Sequence, residues 1–281
     1  MTSQSNTAPT RFVEADGTRF AYRRFGDPVG TPIVLLQHFM GNLDNYDPAI
    51  TDVLVTGREV ILTDNAGVGL STGAAPDTVA GMARDAASFI DALRLVHVDL
   101  FGFSMGGHVA QQIAVDRPEL VRRLVLVGTG PRGDDGMDQL APDVAPLFGT
   151  AHEPQELMWL PIFFSPSEAS QSAGRRFLER IRARADDRDV PVSEATVAVH
   201  LAAAREWGAP APDSFEYLRG IPHPALVVNG SNDVVVPTIN SYILQQNLPN
   251  AELILFPDSN HGSHFQLTEV FNRYVTDFVD R

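Results

Sequence analysis

Two hydrophobic periods alternate along the chain. Short apolar or β-branched runs recur at Ile33–Leu36, Glu59–Leu62, Val98–Phe101, Leu124–Val127, Ala225–Val228 and Leu253–Phe256, each the length of one buried strand. Between them the period shifts to that of a helix. Val79, Met82, Ala83, Ala86, Phe89, Ile90 and Leu93 fall on one stripe, with Asp77 as the expected N-cap. Met105–Asp116 reads as a second helix with Pro118 just beyond its end, and Phe265–Val279 as a closing amphipathic helix. Near the start, Arg11–Glu14 and Thr18–Phe25 flank Ala15-Asp16-Gly17, and an Asp-Gly pair between alternating runs predicts a hairpin. Strands alternating with helices predict an α/β protein with a mostly parallel sheet.

From about Pro131 to Gly220 the strand pattern stops. This segment is rich in Ala and Arg and is interrupted by Pro142, Pro146, Pro154, Pro161, Pro166, Pro191, Pro210 and Pro212. It reads as a helical insertion between two sheet strands. Leu157-Met158-Trp159-Leu160 and Ile162-Phe163-Phe164 are too apolar for a solvent-facing linker and should cover something. The basic cluster from Arg175 to Arg188 is interleaved with Glu179, Asp186, Asp187 and Asp189, as on a solvated helix face. The expected organisation is a disordered tail over 1–10, a core built from 11–130 and 221–281, and an insertion over 131–220.

Composition narrows the function classes. With 281 residues, 44% hydrophobic and 20% charged, the chain suits a globular protein with a substantial core. It contains no cysteine, which excludes disulfides, thiolate metal sites and a cysteine nucleophile. The formal charge of −14 disfavours nucleic acid and anionic lipid as partners. The opening MTSQSNTAPT lacks the basic start and apolar stretch of a secretory signal, and no apolar run reaches the roughly 20 residues of a membrane span. A cytoplasmic protein without membrane insertion is expected, acting on a small-molecule substrate; homo-oligomerisation is left open. No pair of histidines has the spacing of a zinc site on one helix face, so no metal or other cofactor is expected.

The chemistry concentrates at Gly102-Phe103-Ser104-Met105-Gly106, a G-x-S-x-G sequence directly after one strand run and directly before a helix. That turn is sharp enough to strain the serine backbone, and glycines on either side leave it room. The hydroxyl then stands at a helix N-terminus, where the macrodipole favours an oxyanion. A chance match in a glycine-containing turn would lack this setting.

A serine needs a base, and the base needs an orienting carboxylate. Asp233 follows the run Ala225–Val228, and His261 follows Leu253–Phe256. Both are therefore expected in loops at the carboxyl ends of strands, where open parallel sheets bind ligands. Asp233 competes with a loop-capping role, with Asp134 or Asp135 as alternatives, and His261 competes with His264. Asp258 is too near His261 to orient it. His97, His108, His152, His200 and His223 have no motif around them and read as surface or packing residues. The oxyanion requires two N–H donors. The backbone of Met105 is one, and Phe39, in Gln37-His38-Phe39-Met40-Gly41-Asn42, is the other.

With these motifs together, the sequence resembles the α/β-hydrolase family, especially its cofactor-free esterase, lactonase and perhydrolase-like members. The resemblance rests on His38 to Gly41, on Asp64-Asn65-Ala66-Gly67-Val68-Gly69-Leu70-Ser71, on the Ser104 turn, and on Asp233 with His261. It implies an eight-stranded, mostly parallel sheet flanked by helices, with a helical cap after the sixth strand. It also implies that the Asp64–Ser71 loop supports the sheet edge. One departure stands out: the family usually has His-Gly where this chain has His38-Phe39, which puts a phenyl ring beside the expected oxyanion donors.

The expected activity is hydrolysis of a small or medium apolar ester, lactone or related carbonyl compound through an acyl-enzyme. His38, Trp159 and Phe163 are the expected substrate contacts, with Trp207 a further candidate. Perhydrolase, haloperoxidase-like or carbon–carbon bond hydrolase chemistry on the same triad is an alternative. A non-catalytic ligand-binding protein on the same scaffold is another.

Overall fold

The computed structural model describes residues 3–133, Val144, Pro146, Leu147 and residues 155–281. Its sheet comprises β1 (Arg11–Ala15), β2 (Thr18–Gly26), β3 (Ile33–Leu36), β4 (Glu59–Thr63), β5 (Val98–Phe103), β6 (Val121–Val127), β7 (Ala225–Gly230) and β8 (Ala251–Phe256). The spatial order is β1-β2-β4-β3-β5-β6-β7-β8. β2 pairs antiparallel with β1 and with β4, and all other neighbours are parallel. Asp16 and Gly17 both take positive φ, 47° and 81°, as a tight hairpin between β1 and β2 requires.

Strands β3, β5 and β7 are buried from end to end. Helices cover both sheet faces, so both sets of alternating side chains must be apolar. The period of two is visible in β3: Val34 and Leu36 join one core layer, Ile33 and Leu35 the other. The first layer packs against α3 (Val79–Ala92) and α4 (Met105–Asp116) through Phe89, Ile90, Val109 and Ile113. The second packs against α2 (Pro48–Leu54) and the C-terminal helix through Ile50, Leu54, Phe271 and Val275.

Local differences from the sequence reading have physical causes. Thr78, not Asp77, caps α3, its hydroxyl accepting the Gly81 N–H at 3.1 Å. Part of the segment expected as a tail forms a short helix that contacts the inserted segment. The short α1 (Gln4–Thr7) is tied down by Arg184, which donates to the carbonyls of Ser5 and Ala8 at 3.2 and 3.0 Å. Small polar residues could not announce a partner that lies far along the chain.

Between β6 and β7 lie α5 (Trp159–Phe163), α6 (Glu168–Arg182) and α7 (Glu194–Gly208). Phe177, Leu178 and Ile181 of α6 are buried. The basic cluster is not simply a solvated face. Arg180 forms a two-pronged pair with the buried Asp47, at 2.7 and 2.5 Å, and Arg184 is only 4% exposed. Asp189 accepts from Val190 and Leu43 N–H groups, and its own N–H donates to Asp44 at 3.0 Å. The remaining helices are α8 (Ile239–Asn247), α9 (Ser263–Gln266) and α10 (Thr268–Asp280), so the closing helix is broken at Leu267. Among the described residues, no helix is long and apolar enough to cross a membrane.

Candidate active site

β5 enters α4 through Ser104, whose φ of 55° and ψ of −120° lie outside the ordinary regions for a residue with a side chain. Such a conformation costs about 1–3 kcal/mol and persists only where surrounding contacts over-determine it. Here the Ser104 N–H donates to Val127 O, and the Gly107 N–H donates to Ser104 O, both at 2.8 Å. The flanking glycines are required by crowding. A Cβ on Gly102 would meet the backbone of Gly106, and one on Gly106 would meet the Leu36 carbonyl. The turn is therefore pressed against the end of β3.

Asp233 lies in the loop after β7 and His261 in the loop after β8. His261 Nδ1 and Asp233 Oδ2 are 2.8 Å apart, with both side chains buried. Asp233 Oδ1 accepts the N–H groups of Val235 and Val236 at 2.8 and 2.9 Å. A carboxylate held this way accepts at Nδ1, so His261 carries its proton there and leaves Nε2 as the basic nitrogen. The imidazole lies 4.9 Å from the ring of Phe103, the residue preceding Ser104. Ser104, Asp233 and His261 thus gather at the carboxyl edge of three strands, β5, β7 and β8.

His264 is not the partner of Asp233. Its ring packs 4.5 Å from that of Phe103 and 3.8 Å from that of Phe265, and burial, with His261 and His38 nearby, holds it well below the ordinary imidazole range. Asp258 accepts from the hydroxyls of Ser165 and Ser167, both at 2.6 Å, and so anchors the start of α6. Asp134, Asp135 and His152 lie outside the described residues.

The loop carrying Phe39 is braced from within. The Gln37 side chain accepts the His38 N–H and donates to Asn42 O, and the Gly41 N–H donates to His38 O, each at 3.0 Å. The left-handed residue in this loop is Met40, at φ 63°, not Phe39. Glycine's backbone freedom is thus not needed at position 39, and a phenyl ring is accommodated there. That ring packs against the α3–α4 side of the core and lies 6.4 Å from His200. Met105, the first residue of α4, lies beside Ser104; N–H groups of a first helical turn have no partner four residues back.

His38 is buried beneath α5. Its ring contacts those of Phe103, Trp159 and Phe163 at 5.2, 4.7 and 5.3 Å. Burial lowers its pKa to about 3, so the ring is neutral. Nδ1 lies 2.8 Å from Phe39 O and must donate there, which leaves Nε2 a bare acceptor. Phe163 also reaches His261, at 5.9 Å between rings, and its carbonyl accepts the Gly262 N–H at 2.9 Å. The three expected substrate contacts His38, Trp159 and Phe163 therefore form one aromatic wall.

Two residues read as packing groups stand out. His108 and His200 are fully buried, and no ring nitrogen of either has a hydrogen-bond partner among the described residues. Their one sequence signal was helical spacing: His108 stands four residues after Ser104. In the loop after β4, Asp64 Oδ1 accepts the Leu43 N–H at 2.8 Å, while burial, then the neighbouring Asp189, raises its pKa well above the ordinary value. Ser71 accepts the Ala21 N–H at 2.8 Å. Among the described residues no group of three or more His, Cys, Asp or Glu could hold a metal ion.

Known proteins agree with this architecture. A structure described as an alpha/beta hydrolase fold protein from Chitinophaga pinensis is 42% identical, covers 98% of each chain and superposes with a TM-score of 0.92. A 2-hydroxy-6-oxononadienedioate/2-hydroxy-6-oxononatrienedioate hydrolase from Burkholderia vietnamiensis is 29% identical over 99% of this chain and 98% of its own. A hydrolase of the same name from Paraburkholderia xenovorans is 27% identical over 99% and 97%. The family model for the alpha/beta hydrolase fold matches residues 31–266, and the chain belongs to that family.

Proposed function

We propose that the protein is a serine hydrolase that cleaves a small or medium, uncharged and largely apolar ester, lactone or related carbonyl compound through an acyl-enzyme. The observation that carries this reading is the Asp233–His261 contact of 2.8 Å beside the strained Ser104 turn. In this mechanism His261 Nε2 takes the Ser104 proton as Oγ attacks the carbonyl carbon. The Phe39 and Met105 amides receive the developing oxyanion. The imidazolium then protonates the leaving group, and a water activated by the same nitrogen releases the acid. Asp233 holds the tautomer that makes Nε2 the base.

The choice of an apolar, uncharged substrate is supported by the walls. His38, Trp159 and Phe163 on one side, and Phe39 on the other, supply aromatic surface and no formal charge. Labelling with a fluorophosphonate probe tests the nucleophile: wild type should label and Ser104→Ala should not. Equal labelling of the two proteins would sink the assignment.

A second reading, hydrolysis of a carbon–carbon bond, is supported by the names of the relatives at 29% and 27% identity. Those names describe dicarboxylates. Turnover of such a dienedioate, with neutral esters left untouched, would favour this reading over the first.

A further inference from the structure

Helix α7 buries Thr196, His200, Ala203 and Trp207 along one stripe. The Thr196 hydroxyl donates to the Gly67 carbonyl at 2.8 Å, and Ala203 and Trp207 join the core layer on the α3–α4 side of the sheet. Trp207 stacks on His108 of α4, at 5.2 Å and 22° between rings, and His200 lies 6.4 Å from Phe39. His108 lies in the first turn of α4, four residues after Ser104, whose own backbone is not helical. One imidazole thus lies on the helix that Ser104 precedes, and the other lies near Phe39.

Both rings are neutral at physiological pH. Burial, reinforced by nearby His261, lowers His108 to about 3, and burial lowers His200 to about 4. Each therefore offers one N–H donor and one bare acceptor. No ring nitrogen of either has a hydrogen-bond partner among the described residues. An unmade buried hydrogen bond costs about 1–3 kcal/mol, so these four atoms call for a partner.

We propose that His108 and His200 form a neutral hydrogen-bonding subsite for a second oxygen function of the substrate, a hydroxyl or keto group remote from the carbonyl that Ser104 attacks. This rests on the reading of Ser104 as nucleophile. A carboxylate is the wrong occupant, because neutral imidazoles supply no countercharge. Among nearby arginines, Arg180 pairs with Asp47, Arg184 with Asp187 and Arg188 with Asp44, while Arg132, 5.1 Å from the centre of the Trp207 ring, donates to Gln112. The chain has no lysine, so all 21 of its basic side chains are arginines.

The test compares para-nitrophenyl hexanoate with its β-, γ- and δ-hydroxy counterparts. A site built to bind a hydroxyl rejects the analogue lacking it. Wild type should prefer at least one hydroxy ester by about tenfold or more in kcat/KM. In His108→Phe and His200→Phe that preference should fall by about tenfold each, one hydrogen bond's worth. His108→Gln, which keeps a donor and an acceptor, should retain more of the preference than His108→Phe. No hydroxy preference in wild type, or a preference unchanged in every variant, would overturn the subsite. Fluorophosphonate labelling in the same preparations separates the two readings. Wild type that labels without discriminating removes only the subsite, whereas wild type that fails to label removes the nucleophile. Should His108→Phe fail to fold, His200→Phe and His108→Gln decide the outcome.

Discussion

The two sides of Ser104 are built in opposite ways. On one side, Asp233 is saturated: two backbone N–H groups on Oδ1 and the His261 ring on Oδ2. On the other, His108 and His200 are as deeply buried yet have no partner among the described residues on any ring nitrogen. A polar group whose every bond is supplied by the protein is held for its geometry. One left unsatisfied is held for something that arrives. On the proposed reading, the first side carries the chemistry and the second the recognition.

The comparison can be broken most directly at its centre. Ser104→Ala should lower kcat/KM by about 10,000-fold or more, because no other group can accept the acyl chain. Steady-state assay with the best para-nitrophenyl ester checks this. Next in size, Asp233→Asn should cost about 1,000- to 10,000-fold in kcat with folding intact. An asparagine that presents its amide to Nδ1 reverses the imidazole tautomer, and circular dichroism alongside the assay isolates that effect.

Smaller effects concern the buried titratable groups and are read by urea denaturation. His38 and His108 fall to about 3 and His200 to about 4, all below the ordinary 6.5. Between those limits the unfolded chain binds protons that the folded chain refuses. Each histidine therefore removes about 1.4 kcal/mol of stability per pH unit as pH falls. Asp64 acts oppositely: its carboxyl is raised in the fold, so its contribution is present at low pH and lost as pH rises through its folded value. His108→Phe should flatten the acid slope by about one histidine's share. An unchanged slope would mean that the ring is solvated. Smallest of all, His200→Phe at neutral pH should raise stability by about 1 kcal/mol, because an unsatisfied polar ring gives way to an apolar one. A loss of stability there would show that the His200 nitrogens are already satisfied.

Much of the core could be read from periodicity. The apolar runs became β3 to β8 with boundaries extended by a few residues, although β8, at the sheet edge, is buried only at Phe256 and exposes Leu255; Met105–Asp116 coincides with α4. Ser104, Asp233 and His261 were legible because each follows a strand run, and in a parallel sheet such positions converge on one edge. His108 and His200 were not legible. A histidine on an apolar helical stripe has the same sequence signal whether it packs, binds or floats in solvent. The contacts between Arg184 and the N-terminal residues were illegible for a related reason, since the partners lie 179 and 176 positions apart in the chain. The His38-Phe39 departure also changed meaning. With Met40 carrying the positive φ, Phe39 alters the wall of the site and leaves the loop backbone undisturbed.

By itself, then, the order of residues determined the α/β architecture, the serine turn and the chain order of the candidate triad. These depend on local period, glycine placement and strand-then-loop succession, all of which are written within a few residues of one another. The tertiary structure alone decided that His261 and not His264 meets Asp233, which aromatic rings pack on His38, and which buried imidazoles lack partners among the described residues. Those properties belong to pairs of residues brought together across the insertion, where side-chain packing and desolvation, not local sequence, set the result.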